Sequence, residues 1–148
     1  MFTPGLVSVT FRPLGRLEIT EWMQKCGLTA VEWGGDVHVP AKDPSAIADA
    51  VTVSREHGIE IVSYGSYYRA GVTTEETTAA VSDELAATVA LGAPNIRIWA
   101  GTKGSAVATK EERKAFTDDI RHVCRIAAAE NKTVSLEFHN GTLTDACD

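Results

Sequence analysis

Apolar residues along this chain follow two alternating patterns, one with helical spacing and one typical of β-strands. Segments with apolar residues three or four positions apart end near a glycine or an asparagine and predict helices. These helices lie at 17–26, 43–57, 73–92 and 109–131. Five short runs rich in β-branched and aromatic residues predict strands at 6–11, 28–33, 59–64, 95–100 and 133–138. Strands that alternate with helices indicate a parallel sheet with right-handed crossovers.

Two of the predicted helices begin with a capping box, in which a threonine is followed three residues later by a glutamate. The pairs are Thr73 with Glu76 and Thr109 with Glu112. In this motif each side chain accepts a hydrogen bond from the backbone N–H of the other residue. The starts of the third and fourth helices are therefore predicted from local chemistry as well as from periodicity.

The predicted strands alternate between polar and apolar positions, which distinguishes a barrel from an open sheet. Central strands of an open, doubly wound sheet are covered on both faces and are apolar throughout. One face here is apolar and is expected to meet helices, whereas the other is polar and is expected to line a barrel interior. The polar positions are Ser8, Thr10, Glu32, Arg97, Trp99, Ser135, Glu137 and His139.

The segment after the fifth predicted strand also bears on the fold. A flavodoxin-like domain would close with a full helix, but 142–145 resembles only a first helical turn. A (β/α)8 barrel has eight strands and about 250 residues. We therefore predict an α/β fold, a partial TIM (β/α)8 barrel with about five parallel strands and four intervening helices. Residues 1–148 are expected to form a single domain, the N-terminal part of that barrel.

Composition and charge narrow the classes of function. The formal net charge of −6 argues against a nucleic-acid partner bound through a basic surface. No apolar run approaches the ~20 residues that span a bilayer, so no membrane association is expected. The three cysteines form no paired motif, which favours reduced thiols and a cytoplasmic protein. Glycine-rich phosphate loops and the G-x-S-x-G motif are absent from the sequence.

Charged, aromatic and imidazole side chains gather at the predicted carboxyl ends of the strands. Function in a barrel of this kind concentrates at that rim. Charged groups can bind hydroxyl or phosphate groups while rings pack on carbon faces, so the set predicts a pocket for a sugar or sugar phosphate. The candidate substrate-binding residues are Glu32, His38, Arg97, Trp99 and His139, and Glu137 is the candidate catalytic residue.

Each candidate also has a purely structural interpretation. A carboxylate at Glu137 is costly to bury and is satisfied either by a divalent metal or by an arginine such as Arg97. Glu32 either binds substrate or belongs to an ion pair at the barrel mouth. Trp99 either stacks on a sugar or fills space. His38 either touches substrate or lies exposed on its loop. His139, two residues after Glu137, is a metal ligand, an acid or a hydrogen-bond partner of a neighbouring loop.

Three motifs resemble the xylose isomerase-like TIM barrels. They read AVEW leading to HVP at 30–40, IRIWAG at 96–101 and LEFHNGTLTD at 136–145. This superfamily includes sugar-phosphate isomerases and epimerases as well as endonuclease IV. The resemblance covers the whole chain but only the first five of the eight strands, and the third motif is the most specific.

The resemblance implies a role for Glu137. In such barrels the glutamate at the end of the fifth strand is a metal ligand and, in the epimerases, a proton-transfer base. A divalent ion (Mn, Mg, Co or Zn) polarises a substrate carbonyl while a proton leaves the adjacent carbon. The remaining ligands come from strands six to eight, so the metal site is expected to be incomplete and the chain alone to be inactive.

Alternatives remain open at this stage. Ketose epimerases carry a second glutamate shortly after the first, but residues 141–143 hold no carboxylate, which leaves a broader isomerase or lyase function open. A metal-dependent hydrolase similar to endonuclease IV is a second hypothesis. A non-catalytic sugar-binding or assembly module is a third. Because the first and fifth strands would leave open sheet edges, self-association through those edges is also expected.

Overall fold

In the computed structural model of the protein, five parallel strands alternate with four helices. The structure describes residues 2–72 and 75–146, and of residues 75–80 it describes the backbone alone. The strands are β1 Gly5–Val7, β2 Ala30–Gly34, β3 Glu60–Arg69, β4 Asn95–Trp99 and β5 Thr133–Leu136. The helices are α1 Arg16–Lys25, α2 Pro44–Glu56, α3 Glu75–Ala90 and α4 Lys110–Ala129.

The strands lie side by side in chain order, β1-β2-β3-β4-β5. Every neighbouring pair is parallel. Sequential order with a helix in each connection is the arrangement of a barrel wall rather than of a doubly wound sheet, in which the order reverses. The predicted class, five parallel strands with four intervening helices, is therefore confirmed.

The core lies between the outer face of the sheet and the helices. Trp33, Tyr64, Ile96 and Ile98 are fully buried there. The Trp33 indole Nε1 donates a hydrogen bond of 3.0 Å to Ser54 Oγ on α2, so its one polar group is satisfied inside the core. Each such side chain contributes about 1.5–3 kcal/mol by leaving water, and this burial holds the sheet against its helices.

The start of the chain departs from the prediction. The strand expected at 6–11 ends at Val7, and Ser8–Phe11 forms a 3-10 helix. The physical reason is the Ser8 hydroxyl, which accepts a 2.9 Å hydrogen bond from the backbone N–H of Gly34 and lies 3.0 Å from the His38 ring. These polar contacts draw Ser8 into the protein and take the backbone out of the β ladder.

One of the two predicted capping boxes lies within the described residues. The capping box at Thr109 and Glu112 is confirmed, with bonds of 3.2 Å and 2.9 Å between each side chain and the other residue's N–H. The capping box predicted at Thr73 and Glu76 lies outside the described residues.

The segment after β5 is not the beginning of a helix. Residues 140–146 form turns. They fold back onto the loop that follows β4, where Leu143 N–H donates to Ala100 O at 2.8 Å and Ser105 N–H donates to the Asp145 carboxylate at 3.0 Å. Long-range hydrogen bonds therefore decide this conformation, and the local helical pattern does not.

The edges of the sheet are open within the described part of the chain, because β1 and β5 each pair with one strand. Near the β5 edge, Leu136 and Phe138 were expected to face helices but expose 39% and 63% of their surface. Self-association through these edges stays a prediction. No helix of the described residues is both long and apolar enough to cross a membrane.

Glu84 on α3 is a partly buried ionisable group. Its Oε2 atom is buried and has no hydrogen-bond partner among the described residues. Burial raises the pKa of the Glu84 carboxyl to about 7, and the neighbouring Asp83 charge adds to the rise. The ionised form of Glu84 therefore destabilises the folded state at and above neutral pH.

Replacing this carboxyl should change the pH dependence of stability. The pKa of about 7 in the folded state exceeds the ordinary glutamate value of 4.5, so the folded state holds the proton more tightly. Stability should then fall as pH rises from about 4.5 to about 7. Glu84→Gln should remove that fall and stabilise the chain at pH 8 on the order of 2 kcal/mol. Urea unfolding at pH 5 and pH 8 measures both effects.

The matched control is Glu21→Gln, because Glu21 is an exposed glutamate on α1. It should leave the pH profile of the unfolding free energy unchanged. Equal profiles for wild type and Glu84→Gln would contradict a buried, proton-binding Glu84.

Candidate functional site

The inner face of the sheet carries polar side chains in successive layers along β4. The deepest layer is centred on Asn95, whose amide Nδ2 donates to Ser63 Oγ at 3.0 Å and to Ser135 Oγ at 2.8 Å. Three neighbouring strands are joined through this single side chain. Alternation places Arg97 and Trp99 in the next two layers, towards the carboxyl ends of the strands.

The middle layer is an ion-pair network in which one guanidinium bridges two carboxylates. Arg97 Nε donates to Glu32 Oε1 at 3.0 Å, and Arg97 Nη1 donates to Glu137 Oε2. The side chains of Arg97, Glu32 and Glu137 are 12%, 15% and 30% exposed. Charges this sheltered are tolerated because each one has a partner. Glu137, just beyond β5, is the most open of the three.

Gly65 on β3 makes room for this network. It pairs with Arg97 across the sheet. A Cβ atom at Gly65 would lie 2.5 Å from Arg97 Nη2 and 2.7 Å from Glu32 Oε1, which is closer than these atoms can approach. The glycine is therefore needed for the space that it leaves.

The upper layer is an aromatic and cationic cluster around Trp99. The His139 ring stacks on Trp99 with 4.2 Å between centroids and an interplanar angle of 26°. The Tyr67 ring lies 5.7 Å away. The Arg69 guanidinium carbon lies 3.9 Å from the centroid of the Trp99 ring. We call Tyr67, Arg69, Trp99 and His139 the rim cluster.

A bulge in β3 brings Arg69 to this cluster. Gly65 pairs with Arg97 and Arg69 pairs with Trp99, so β3 uses four residues where β4 uses two. The extra residues are accommodated by Ser66, whose hydroxyl donates to Arg97 O at 2.8 Å. Bulges of this kind re-aim side chains near functional sites.

A second charged group lies on the same rim. Arg12 donates to Asp36 and, at 2.6 Å, to the Tyr67 hydroxyl. Burial alone would raise the pKa of Asp36, but hydrogen bonds from the Arg12 guanidinium and the Val37 N–H outweigh it and hold that pKa below its usual value. Asp36 therefore remains ionised and neutralises Arg12.

His38 lies apart from these three layers, at a buried position in the loop after β2. Its Nε2 lies 3.2 Å from Leu14 O and its Nδ1 lies 3.0 Å from Ser8 Oγ. A carbonyl only accepts, so Nε2 carries the proton and Nδ1 accepts from the Ser8 hydroxyl. Burial lowers the pKa of His38, which favours this neutral form.

The structure thus brings five of the six predicted site residues together. Glu32, Arg97 and Glu137 form one network, and Trp99 with His139 forms the layer above it. The structural interpretations of Glu32 and Glu137, as partners of Arg97, describe the contacts observed. His38, the sixth predicted residue, is engaged by Ser8 and Leu14 instead.

The predicted site residues leave out part of this arrangement. Arg12, Asp36, Tyr67 and Arg69 complete the rim, and Gly65 makes room beneath it. Strict alternation could not place Arg69, because the bulge breaks the two-residue period.

The described residues do not by themselves make a metal centre. No group of three or more histidine, cysteine, aspartate or glutamate side chains among them is placed to hold an ion. Glu137 is the one predicted ligand, and its Oε2 is paired with Arg97.

The comparisons with known proteins agree on the fold. The family model described as xylose isomerase-like TIM barrel matches residues 20–147. The 3-dehydroshikimate dehydratase of Bacillus anthracis is 46% identical over 50 residues, which are 34% of this chain and 18% of that protein.

Three solved structures share the architecture. The probable 3-DHS dehydratase of Bacillus anthracis superposes with a TM-score of 0.82 at 23% identity, over 97% of this chain and 55% of that one. The 3-keto-D-glucoside 4-epimerase of E. coli gives 0.71 at 18% identity, over 92% and 56%. The IOLI protein, solved with a zinc atom, gives 0.76 at 16% identity, over 97% and 54%. The chain spans about half the length of each of these structures.

Removing the bridging guanidinium should destabilise the protein. Arg97→Met leaves two sheltered carboxylates without a partner, at an expected cost of about 3–5 kcal/mol in unfolding free energy. Arg121→Met is the control, because its ion pair with Asp118 is exposed and 3.5 Å long, and it should cost less than about 1 kcal/mol. Urea denaturation measures both, and equal losses would contradict a central role for Arg97.

The protonation state of His38 can be measured directly. Long-range ¹H–¹⁵N correlation spectra should show the Nε2–H tautomer, with a titration midpoint below the ordinary value of 6.5 because burial disfavours the charged ring. An Nδ1–H tautomer, or a midpoint at or above 6.5, would contradict the assigned hydrogen bonds.

Proposed function

The chain belongs to the xylose isomerase-like TIM barrel family, and from that premise we propose that it forms the N-terminal part of an enzyme that transfers a proton next to a carbonyl group. The substrate is a small polyhydroxylated molecule, a sugar or a sugar phosphate. Glu137 is the base that accepts the proton, and the chain without further strands is inactive.

The observation that carries this proposal is the position of Glu137. Its backbone continues the ladder of β5 by donating to Ile98 O at 2.9 Å, so its side chain stands at the carboxyl end of the strand. The carboxylate is 30% exposed, open enough to meet a ligand and sheltered enough to act in low dielectric. Its oxygen Oε2 is held by Arg97, which leaves Oε1 for a ligand.

The neighbouring residues supply binding and orientation. Arg97 fixes the carboxylate and offers its remaining N–H donors to substrate oxygens. Glu32 shares the charge of Arg97 and acts through it. His139 covers one face of the Trp99 ring and Arg69 the other, so the free face of the His139 ring is the surface that suits the carbon face of a polyol. A direct contact between His38 and substrate stays a prediction.

A divalent metal ion (Mn, Mg, Co or Zn) is part of this proposal only in a limited way. Glu137 would give one ligand, and the others would come from residues outside this chain. In such a site the ion would stabilise negative charge on the substrate carbonyl oxygen. A similar structure, the IOLI protein, was solved with a zinc atom, which supports the idea without identifying the metal here.

The activities of two similar proteins favour proton transfer beside a carbonyl. A 4-epimerase of a 3-keto-glucoside inverts the carbon next to the ketone. A dehydratase acting on dehydroshikimate removes water from a keto compound. Both reactions can begin when a base takes a proton from the carbon beside the carbonyl. The hydrolase alternative has no comparable support, and the net charge of −6 opposes a DNA substrate.

Deuterium incorporation tests this step directly. The polypeptide encoded by the whole reading frame around residues 1–148 is incubated in D2O with 3-dehydroshikimate or a 3-keto-glucoside. NMR should show exchange of the proton beside the carbonyl. Glu137→Gln should slow the exchange about 10²–10⁴-fold, because its amide cannot accept the proton.

The control is Glu130→Gln, which changes an exposed glutamate at the end of α4 and should leave exchange unchanged. Exchange that persists in Glu137→Gln would refute the assigned base. A stop codon directly after Asp148, with no exchange by the chain, would refute the enzymatic proposal as a whole.

A further inference from the structure

Arg69 carries an uncompensated positive charge at the rim. The two other arginines there are neutralised, Arg97 by Glu32 and Glu137, and Arg12 by Asp36. Within the part of the chain that the structure describes, Arg69 has neither an ion pair nor a hydrogen bond, and its one specific contact is the Trp99 ring. A half-buried guanidinium without an anion is unusual, because charge removed from water is normally paired.

The contact with Trp99 fixes the orientation of this charge. The guanidinium carbon lies 3.9 Å from the ring centroid, the distance of a stacked cation. Stacking occupies a face of the guanidinium, whereas its N–H donors lie in the plane and stay free. Trp99 is itself held by the stacked ring of His139. The fork of donors is therefore preorganised, which lowers the entropy cost of binding an oxyanion.

The charge also lies beside the proposed base. Trp99 follows Arg97, the partner of Glu137, by two positions on β4, and His139 follows Glu137 by two positions. Because Arg69 pairs with Trp99, it lies one layer above the Glu137 carboxylate on the same inner face of the sheet. The guanidinium is therefore on the side of Glu137 that faces the carboxyl ends of the strands.

We propose that Arg69 is the anion anchor of the substrate site and binds a carboxylate or phosphate group of the substrate while Glu137 acts on a carbon beside the carbonyl. This inference rests on the proposed function and deepens it by specifying a negatively charged polyol as substrate. The competing explanation is structural, with Arg69 serving only to cover Trp99.

Two matched pairs of probes separate charge from shape and carboxylate from phosphate. Shikimate is compared with its methyl ester, and glucose 6-phosphate with glucose. Each is titrated into the ¹⁵N-labelled polypeptide encoded by the whole reading frame around residues 1–148, while the Trp99 indole N–H and the His139 ring are followed by NMR. At least one anion should shift both signals with saturation, and its neutral counterpart should bind at least about tenfold more weakly.

Three variants complete the test. Arg69→Gln should weaken the bound anion at least about tenfold, and Arg69→Lys, which keeps the charge but loses the planar fork, should fall between the two. Arg55→Gln removes one positive charge from an exposed position at the far end of α2 and should leave binding unchanged. Unaltered backbone spectra away from the rim show that each variant is folded.

The outcomes decide between the alternatives. Binding by shikimate alone identifies a carboxylate, and binding by glucose 6-phosphate alone identifies a phosphate. Equal binding by Arg69→Gln and wild type, equal binding of charged and neutral probes, or no binding of either anion would each overturn the proposal. Glu137→Gln should still bind the anion, so loss of the anchor and loss of the proposed base are distinguishable.

Discussion

The bridge from Arg97 to Glu32 and Glu137 is the interaction on which the inner face of the sheet depends. Its partners lie 65 and 40 residues away in sequence, so a single guanidinium ties β2, β4 and the end of β5 together. The planar fork of an arginine can serve two carboxylates at once, which the point charge of a lysine cannot do in the same geometry. A Cβ at Gly65, which pairs with Arg97, would displace the ends of the Arg97 and Glu32 side chains, so the glycine leaves room for the bridge. Loss of Arg97 would leave both sheltered carboxylates without a partner.

The same bridge links stability to chemistry. Glu137 is both a structural partner of Arg97 and the proposed proton acceptor, so a ligand at its carboxylate has to share that group with the guanidinium. Glu32 makes this sharing less costly, because it keeps Arg97 paired when Glu137 is engaged elsewhere. Above the network, Trp99 and His139 place a rigid aromatic surface next to the carboxylate. Sites held by side chains that are themselves fixed are those that can orient a substrate.

The fold could be predicted where local chemistry and tertiary packing agree. The Thr109 capping box and the apolar face of β4 at Ile96 and Ile98 have the same meaning in the sequence as in the structure. The prediction failed where a distant group competes with the local pattern. Ser8 leaves the first strand because Gly34 and His38 offer it hydrogen bonds. Residues 142–145 have a helical pattern but follow the contacts offered by Ala100 and Ser105.

The sequence by itself determined the order of strands and helices, the face on which each strand is polar, and five of the residues that form the ion-pair network and the rim cluster. Those properties depend on spacings of two or four residues, which are visible in the sequence before the fold is known. Only the tertiary structure decided that Arg97 joins Glu32 to Glu137, that His38 turns towards Ser8 and that Arg69 lies on Trp99. These contacts depend on the register between strands and on a bulge in β3, which arise when the whole sheet packs and leave no periodic signal in the chain.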